Sequence, residues 1–382
     1  MMMKLFIKFF SSLSLTLVCL CLLMALVFIG TLDQVNLGIF AAQKKYFESL
    51  FVYLPVHHLK IPVLPGGGLL TALLSVNLIT VLYTRYPLRL KYLGLWLTHS
   101  GLLVLMVGGG VSTFMATESY MSIEEGQTKQ YSESFHYVEL AVINTSAPGL
   151  DRVVSIPYHI LRKQGRITQD LLPFEVHIRA FLPNAKLAMG ESPANRFGNL
   201  PEVNRGIGTQ IQVQPVPPFQ SDDADNNETA FVEFIAGGKS LGTWLVSRLL
   251  GSPQQLSYAG SDYQIYLRPK RYYNEYTLTL KDFSHDSYPG TSIPKNFSSL
   301  VLLEDPSQGE EREVLIYMNN PLRYRGKTYY QSSYGKNNTL SILQVVENPG
   351  WLFPYIACLL ISLGLSVHFM QVLAGFAKRR PL

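Results

Sequence analysis

Cysteine is scarce in this chain, and charge is thin. The 382 residues include three cysteines, Cys19, Cys21 and Cys358. All three fall in apolar runs, so the long polar region between them has no thiols with which to form a disulfide. There is no Cys-x-x-Cys, which argues against thioredoxin-like redox chemistry and a thiolate zinc site. Cys19 and Cys21 stand two apart, and on a helix such positions face different sides. Charged residues make up 15% of the chain, against about 25% in an ordinary soluble protein. The net charge is +5, and the basic residues form no patch of the kind that binds nucleic acid, so no nucleic-acid partner is expected. Catalytic signatures are missing as well. There is no Gly-x-Ser-x-Gly, no His-Glu-x-x-His, no phosphate loop and no dinucleotide fingerprint. A self-contained hydrolase or nucleotide enzyme therefore has no support, and no catalytic residue is assigned. No internal repeat or low-complexity tract is visible.

Long apolar runs are abundant, and hydrophobic residues reach 47%. Four stretches have the length that crosses a bilayer. The first occupies residues 1–31 behind Lys4 and Lys8. It lacks a clean small-residue cleavage site and reads as an uncleaved span. Residues 32–65 read as a loop whose segment 43–53 is amphipathic and lies at the membrane surface. The second span is 66–84, with Asn77 inside it as an amide expected to bond to a neighbouring helix. The third is 92–115 and the fourth 351–375, with a basic tail at 376–382. Lys4 and Lys8, then Arg85, Arg89 and Lys91, then Lys378 to Arg380 fall on one side of four spans, which places that side in the cytoplasm. Residues 116–349 are then outside. Their alternating segments, such as Tyr137 to Ile143, Phe174 to Phe181 and Tyr276 to Leu280, read as strands. Segment 241–250 reads as a short helix. The proline-rich stretch from Pro215 to Asn227 reads as a loop between two β subdomains. The predicted architecture is an integral membrane protein of four transmembrane helices plus a large, mainly-β extracytoplasmic domain. The bacterial inner membrane is the expected location.

One ionisable residue lies deep in the third span. His99 in a membrane helix is a functional-site candidate by default. Three readings stay open on the helix alone: a histidine hydrogen-bonded between helices, a haem or metal ligand, and a proton carrier. His368 in the fourth span lies at a similar depth, so that the two histidines could clamp one haem, or His368 could sit at headgroup level. The outer histidines, His57, His58, His136, His159, His177 and His285, show no metal-ligand spacing and read as surface or packing residues.

Several stretches together resemble one known family. They are Pro65-Gly-Gly-Gly68 leading to Asn77-Leu78 and Arg85, then Leu97-Thr-His-Ser-Gly-Leu-Leu103 with Gly108-Gly109, then Glu125-Gly126. The longest run joins Pro294-Lys-Asn-Phe-Ser298, Met318-Asn-Asn-Pro-Leu-Arg-Tyr324, Gly326, Tyr330-Gln-Ser-Ser-Tyr334, Gln344-Val-Val346, Asn348-Pro-Gly-Trp351 and Pro354-Tyr355. This set resembles the ResB family, also called CcsB, of the System II cytochrome c biogenesis machinery. The resemblance implies a partner membrane subunit of the CcsA type, haem b as transported and transiently bound cargo, and apocytochrome c as its recipient. It implies that His99 is an axial ligand of haem iron, with the opposite ligand supplied by CcsA, which lowers the standing of His368. It also implies a separate ResB subunit, non-catalytic or co-catalytic in a haem lyase. The alternative is a non-haem scaffold that stabilises CcsA and recruits apocytochrome c.

Overall fold

The computed structural model describes residues 2–56, 59–147, 149–190, 200–219, 226–290, 294–335 and 339–379. Four of its helices are long and apolar enough to cross a membrane. The chain divides into two compact units, one holding these helices and one holding most of the strands.

In the helical unit, α1 (Met2–Phe10) and α2 (Leu13–Ala42) are separate helices, where a single first span was expected. Ser11 and Ser12 break the run. The Ser12 side chain caps α2 by accepting from the Ser14 amide, because a serine hydroxyl competes with the helix for backbone donors. The segment after residue 31 is helical too, in place of the predicted loop. Gly38 stands at φ 76°, a conformation open to glycine, and the chain turns there. The following residues run back until Tyr46 and Phe47 lie against Gly30. Lys45 Nζ and Tyr46 Oη both bond the Asp33 carboxylate, at 2.6 and 2.9 Å. A hairpin of β1 (Phe51–Val56) and β2 (Leu59–Pro65) then leads into α3 (Gly67–Arg85). His57 and His58 lie outside the described residues.

Asn77 of α3 is buried and bonds across to the α1–α2 break. Its Nδ2 donates to the carbonyls of Phe10 and Ser12 at 2.6 and 3.1 Å, and its Oδ1 accepts from Thr16 at 2.8 Å. The expected inter-helix bond is thus present. Two turns on, Arg85 donates to the Ser11 carbonyl at 2.7 Å.

The strand-rich unit begins after α4 (Leu93–Met115). It contains β3 (Thr117–Glu124), β4 (Thr128–Asn144), β5 (Arg152–Pro157), a helical turn α5 (Tyr158–Leu161), β6 (Gly165–Ile167), β7 (Glu175–Leu182), β8 (Ala185–Met189), β9 (Ile211–Pro215), β10 (Thr229–Ala236), β11 (Lys239–Ser247) and β12 (Gln254–Tyr258). It continues through β13 (Ser261–Ser287), β14 (Pro294–Asp305), β15 (Glu310–Tyr317), β16 (Leu322–Tyr324), β17 (Lys327–Gly335) and β18 (Leu340–Glu347). The last helix is α6 (Phe353–Arg379).

The main sheet has ten strands, ordered β15-β14-β13-β4-β3-β18-β17-β16, with β5 and β12 attached to it. A second sheet runs β11-β10-β7-β6. Segment 241–250 is mostly strand rather than helix. β11 pairs along β10 and is buried on both faces from Gly242 to Ser247, so it lacks the alternation that marks a strand in sequence. The loop after Pro215 does not divide two subdomains either. Ile211 and Val213 before it share a core with Phe231 and Leu245 after it. The division falls within the 27 residues of β13. Its Tyr263, Ile265 and Leu267 enter a core with Val138, Leu140, Phe174 and Phe234. Its Tyr276, Leu278, Leu280 and Phe283 enter another, with Met121, Val301, Tyr329 and Val345.

Candidate functional site

α4 is built on a repeat of glycine. Gly94, Gly101 and Gly108 are its buried residues, spaced seven apart. A Cβ at Gly94 would meet the His368 backbone and the Gly364 carbonyl, one at Gly101 the Ala357 carbonyl and Ile361, and one at Gly108 the Phe353 side chain. Gly364 in turn abuts Thr98. The helices therefore run antiparallel at a spacing that only small residues permit, as in other membrane helix pairs. The Asn348-Pro-Gly-Trp351 stretch anchors the start of α6. Asn348 Oδ1 accepts from Ser112 Oγ at 3.1 Å and from the Gly350 amide at 2.8 Å. Gln371 Nε2 ties the other end to the Leu90 carbonyl at 2.8 Å.

This seam decides where His99 points. Five residues of α-helix turn the chain through roughly 140°, so His99 stands on the face of α4 away from Gly94 and from α6. Met106, one heptad on from His99, touches Ser75 of α3 through its sulfur at 3.8 Å. His99 thus looks toward the α3 side. The structure does not bring His99 and His368 together, and the clamp that their similar depth left open is not built. The physical reason is the glycine seam, which sets the His368 backbone against Gly94.

His99 is half-buried. Its Nδ1 lies 2.7 Å from the Leu95 carbonyl oxygen. A carbonyl only accepts, so Nδ1 carries a proton, and in the neutral ring that leaves the lone pair on Nε2. The acceptor is one turn back on the same helix, so this bond does not tie two helices together. The Tyr86 ring lies 5.9 Å from the imidazole. Trp96 Nε1 donates to the Tyr86 carbonyl at 3.1 Å, and the Tyr83 and Trp96 rings meet edge to face at 5.8 Å. Tyr92 closes the group at 5.8 Å from Tyr86. Sequence reasoning missed this aromatic shell. Its signal was the density of tyrosine and tryptophan at a span's end, which is common at interfaces and so did not stand out.

The basic residues nearby are partly committed. Arg85 holds Ser11, and Lys91 Nζ lies over its neighbour Tyr92 at 5.7 Å. Among the described residues, no three histidine, cysteine or acidic side chains converge as a metal site. His177 faces Glu233 at 3.5 Å, and His285 packs at a tilt of 40° against Tyr334 with ring centroids 4.3 Å apart.

Residues 257–346 match the model of the ResB-like family. The chain carries a ResB-like segment. Over 322 residues the chain is 24% identical to Protein NrfI of Wolinella succinogenes, covering 82% of its own length and 32% of that protein. The chain spans about a third of the length of this relative. The family match falls wholly in the strand-rich unit. It contains Met318 to Tyr324 and Tyr330 to Tyr334, and His99 lies outside it.

Proposed function

We propose that this chain serves cytochrome c biogenesis, as a membrane component that holds haem on its way to apocytochrome c. His99 is the axial ligand, and its Nε2 is the donor atom. The carrying observation is the Nδ1 bond to the Leu95 carbonyl. Histidines that bind metals generally donate their second ring nitrogen to such an acceptor, which fixes the tautomer and orients the ring. The residues fit the group: a neutral imidazole tolerates burial, and the aromatic shell of Tyr83, Tyr86, Tyr92 and Trp96 suits a flat apolar ring. Haem bound there would place its iron on Nε2.

The remaining parts of the reading follow the resemblance. The partner is a CcsA-type membrane subunit that supplies the opposite ligand, which leaves His368 without a role in the site. The bonds from Arg85 to Ser11 and from Gln371 to Leu90 set the first basic cluster, the α3–α4 connection and the C-terminal end of α6 at one end of the helical unit. The positive-inside rule reads that end as cytoplasmic in a bacterial inner membrane, with the strand-rich unit on the outer side.

The test is an absorption spectrum of the chain purified with its membrane partner. Native protein should show a haem band. His99→Gly should deplete it, and added imidazole should restore part of it. Full haem content and full cytochrome maturation in His99→Gly would overturn the proposal and favour the scaffold reading.

A further inference from the structure

The ten-stranded sheet curls toward closure but leaves a gap. β14 pairs β15 only from Ser298, opposite Tyr317, onward. Asn296 and Phe297 pair with Asp286 and His285 of β13, and among the described residues they have no strand on their other side. β16 pairs β17 only as far as Leu322 opposite Tyr329. Residues 330–335 of β17 continue beside β18, again with no strand on the opposite side among the described residues. Ser299 Oγ donates to Gln331 Oε1 at 2.6 Å, so side chains bridge the two strands where their backbones do not pair.

A cavity of about 450 Å³ opens at this gap, lined by both bare edges through Phe297 and Tyr330 to Ser332. Met318, Asn319 and Arg323 complete much of its wall. Asn319 is held at φ 65°, a conformation that costs a non-glycine residue energy and that gathers at functional sites. Gln331 Nε2 donates to the Ser333 carbonyl at 3.3 Å, as a partner strand's amide would. Unpaired strand edges are a hazard that proteins normally cover with a charge, a bulge or a neighbouring element. Here two of them border one slot, roughly 16 Å long if 331–335 are all in play.

We propose that this slot receives an extended polypeptide segment bearing an acidic side chain, added as a strand between β14 and β17. The two edges offer backbone donors and acceptors at strand spacing, which selects a polypeptide by β-augmentation. Arg323 is the one charged residue in the described lining, and a guanidinium selects a carboxylate. Met318 and Phe297 provide apolar seats for alternate side chains. If the chain serves cytochrome c biogenesis, the segment belongs to apocytochrome c; the slot itself does not depend on that reading.

The experiment uses the full chain in its own membranes, with a photoreactive benzoylphenylalanine in place of Ser332. The probe is a c-type apocytochrome whose two haem-site cysteines are serines. Illumination should join the two. Arg323→Glu should cut the yield about tenfold or more, as like-charge juxtaposition does, and Arg323→Gln should cut it less without a gross change at the site. The same photoreactive residue at Lys239, the exposed first residue of β11, should give no such product. His99→Gly should leave the cross-link intact while removing haem, which separates the two proposals. Products that contain only two copies of this chain, or a yield unaffected by Arg323→Glu or abolished by His99→Gly, would overturn the inference.

Discussion

The two halves of the strand-rich unit handle charge and backbone differently. In the core around Phe174 and Phe234, Arg268 and Glu139 are fully buried and satisfied. Arg268 Nε meets Glu139 Oε1 at 3.0 Å, and Glu139 Oε2 accepts from Ser155 Oγ at 2.6 Å. β4 has β13 on one side and β5 on the other, and the edge strand β11 is buried from Gly242 to Ser247. In the core around Tyr329 and Leu303, the sheet turns back on itself and stops short of closing. The first half is finished as a fold, whereas the second keeps bare edges and a strained asparagine beside a cavity. The family-matched segment covers the second half apart from β3 and the start of β4, and only the margin of the first. The proposed slot belongs to that second half.

The largest effect that would sharpen this contrast comes from the first half. Arg268→Met leaves the Glu139 carboxylate buried beside one hydroxyl. Removing one partner of a buried pair costs about 3–5 kcal/mol. A chemical melt of the full chain, followed by β-sheet circular dichroism, should show a loss of that size. A loss below about 1 kcal/mol, as for surface pairs, would mean the pair is solvated and the first half is not the closed core described. Next comes the helical unit. Gly101→Leu drives a side chain into Ile361 and the Ala357 carbonyl, and overpacking of this kind costs about 1–3 kcal/mol or more. A cysteine pair placed across α4 and α6 should cross-link less in the variant. Unchanged cross-linking would show that the glycine seam is not tight and would reopen the exclusion of His368. Asn77→Leu is milder. Loss of its three bonds should cost about 1–2 kcal/mol and expose the Ser11–Ser12 break to protease.

Much of this was legible beforehand, for reasons that differ by region. The four spans could be read because bilayer thickness fixes their length. His99 stood out because imidazole inside an apolar run is costly. Strands such as β7 could be read because Val176 and Ile178 are buried while His177 between them is not. β11 could not, because its last six residues are all buried. β13 could be read only in pieces such as Tyr276 to Leu280, because its polar middle, Lys270 to Glu275, passes between two cores. The orientation of His99 was out of reach, since it depends on which face the glycines give to α6. The aromatic shell depends on a seven-residue connection folding back, which no periodicity encodes. The slot depends on where β15 and β16 end.

The smallest expected effect at neutral pH lies at the far end of β14 from the slot, in the pair Asp305 and Tyr324. Asp305 is buried. Burial alone would raise its carboxyl, but hydrogen bonds from Ser307 and Tyr324 and the charge of Arg325 outweigh it and hold the group below the usual carboxylate range. Tyr324 is pushed up to about 12, first by burial and then by its bond to Asp305. The signs run in opposite directions. A depressed acid contributes stability that is present above the ordinary aspartate value of about 3.9 and is lost as pH falls through the folded value. A raised phenol contributes stability that is present below the ordinary tyrosine value of about 10 and is lost as pH climbs toward 12. The pair therefore stabilises the second half across the whole interval between those two values. Melts of the full chain should be flat in this interval and fall at both ends. Asp305→Asn should flatten the acid limb by removing the titrating carboxyl, and should also lower the plateau, since an amide nitrogen neither accepts from Tyr324 nor pairs with Arg325; Tyr324→Phe should flatten the alkaline limb. An acid limb equally steep in Asp305→Asn would assign it to other carboxylates and remove this pair as the clasp that holds β16 beside the open edge.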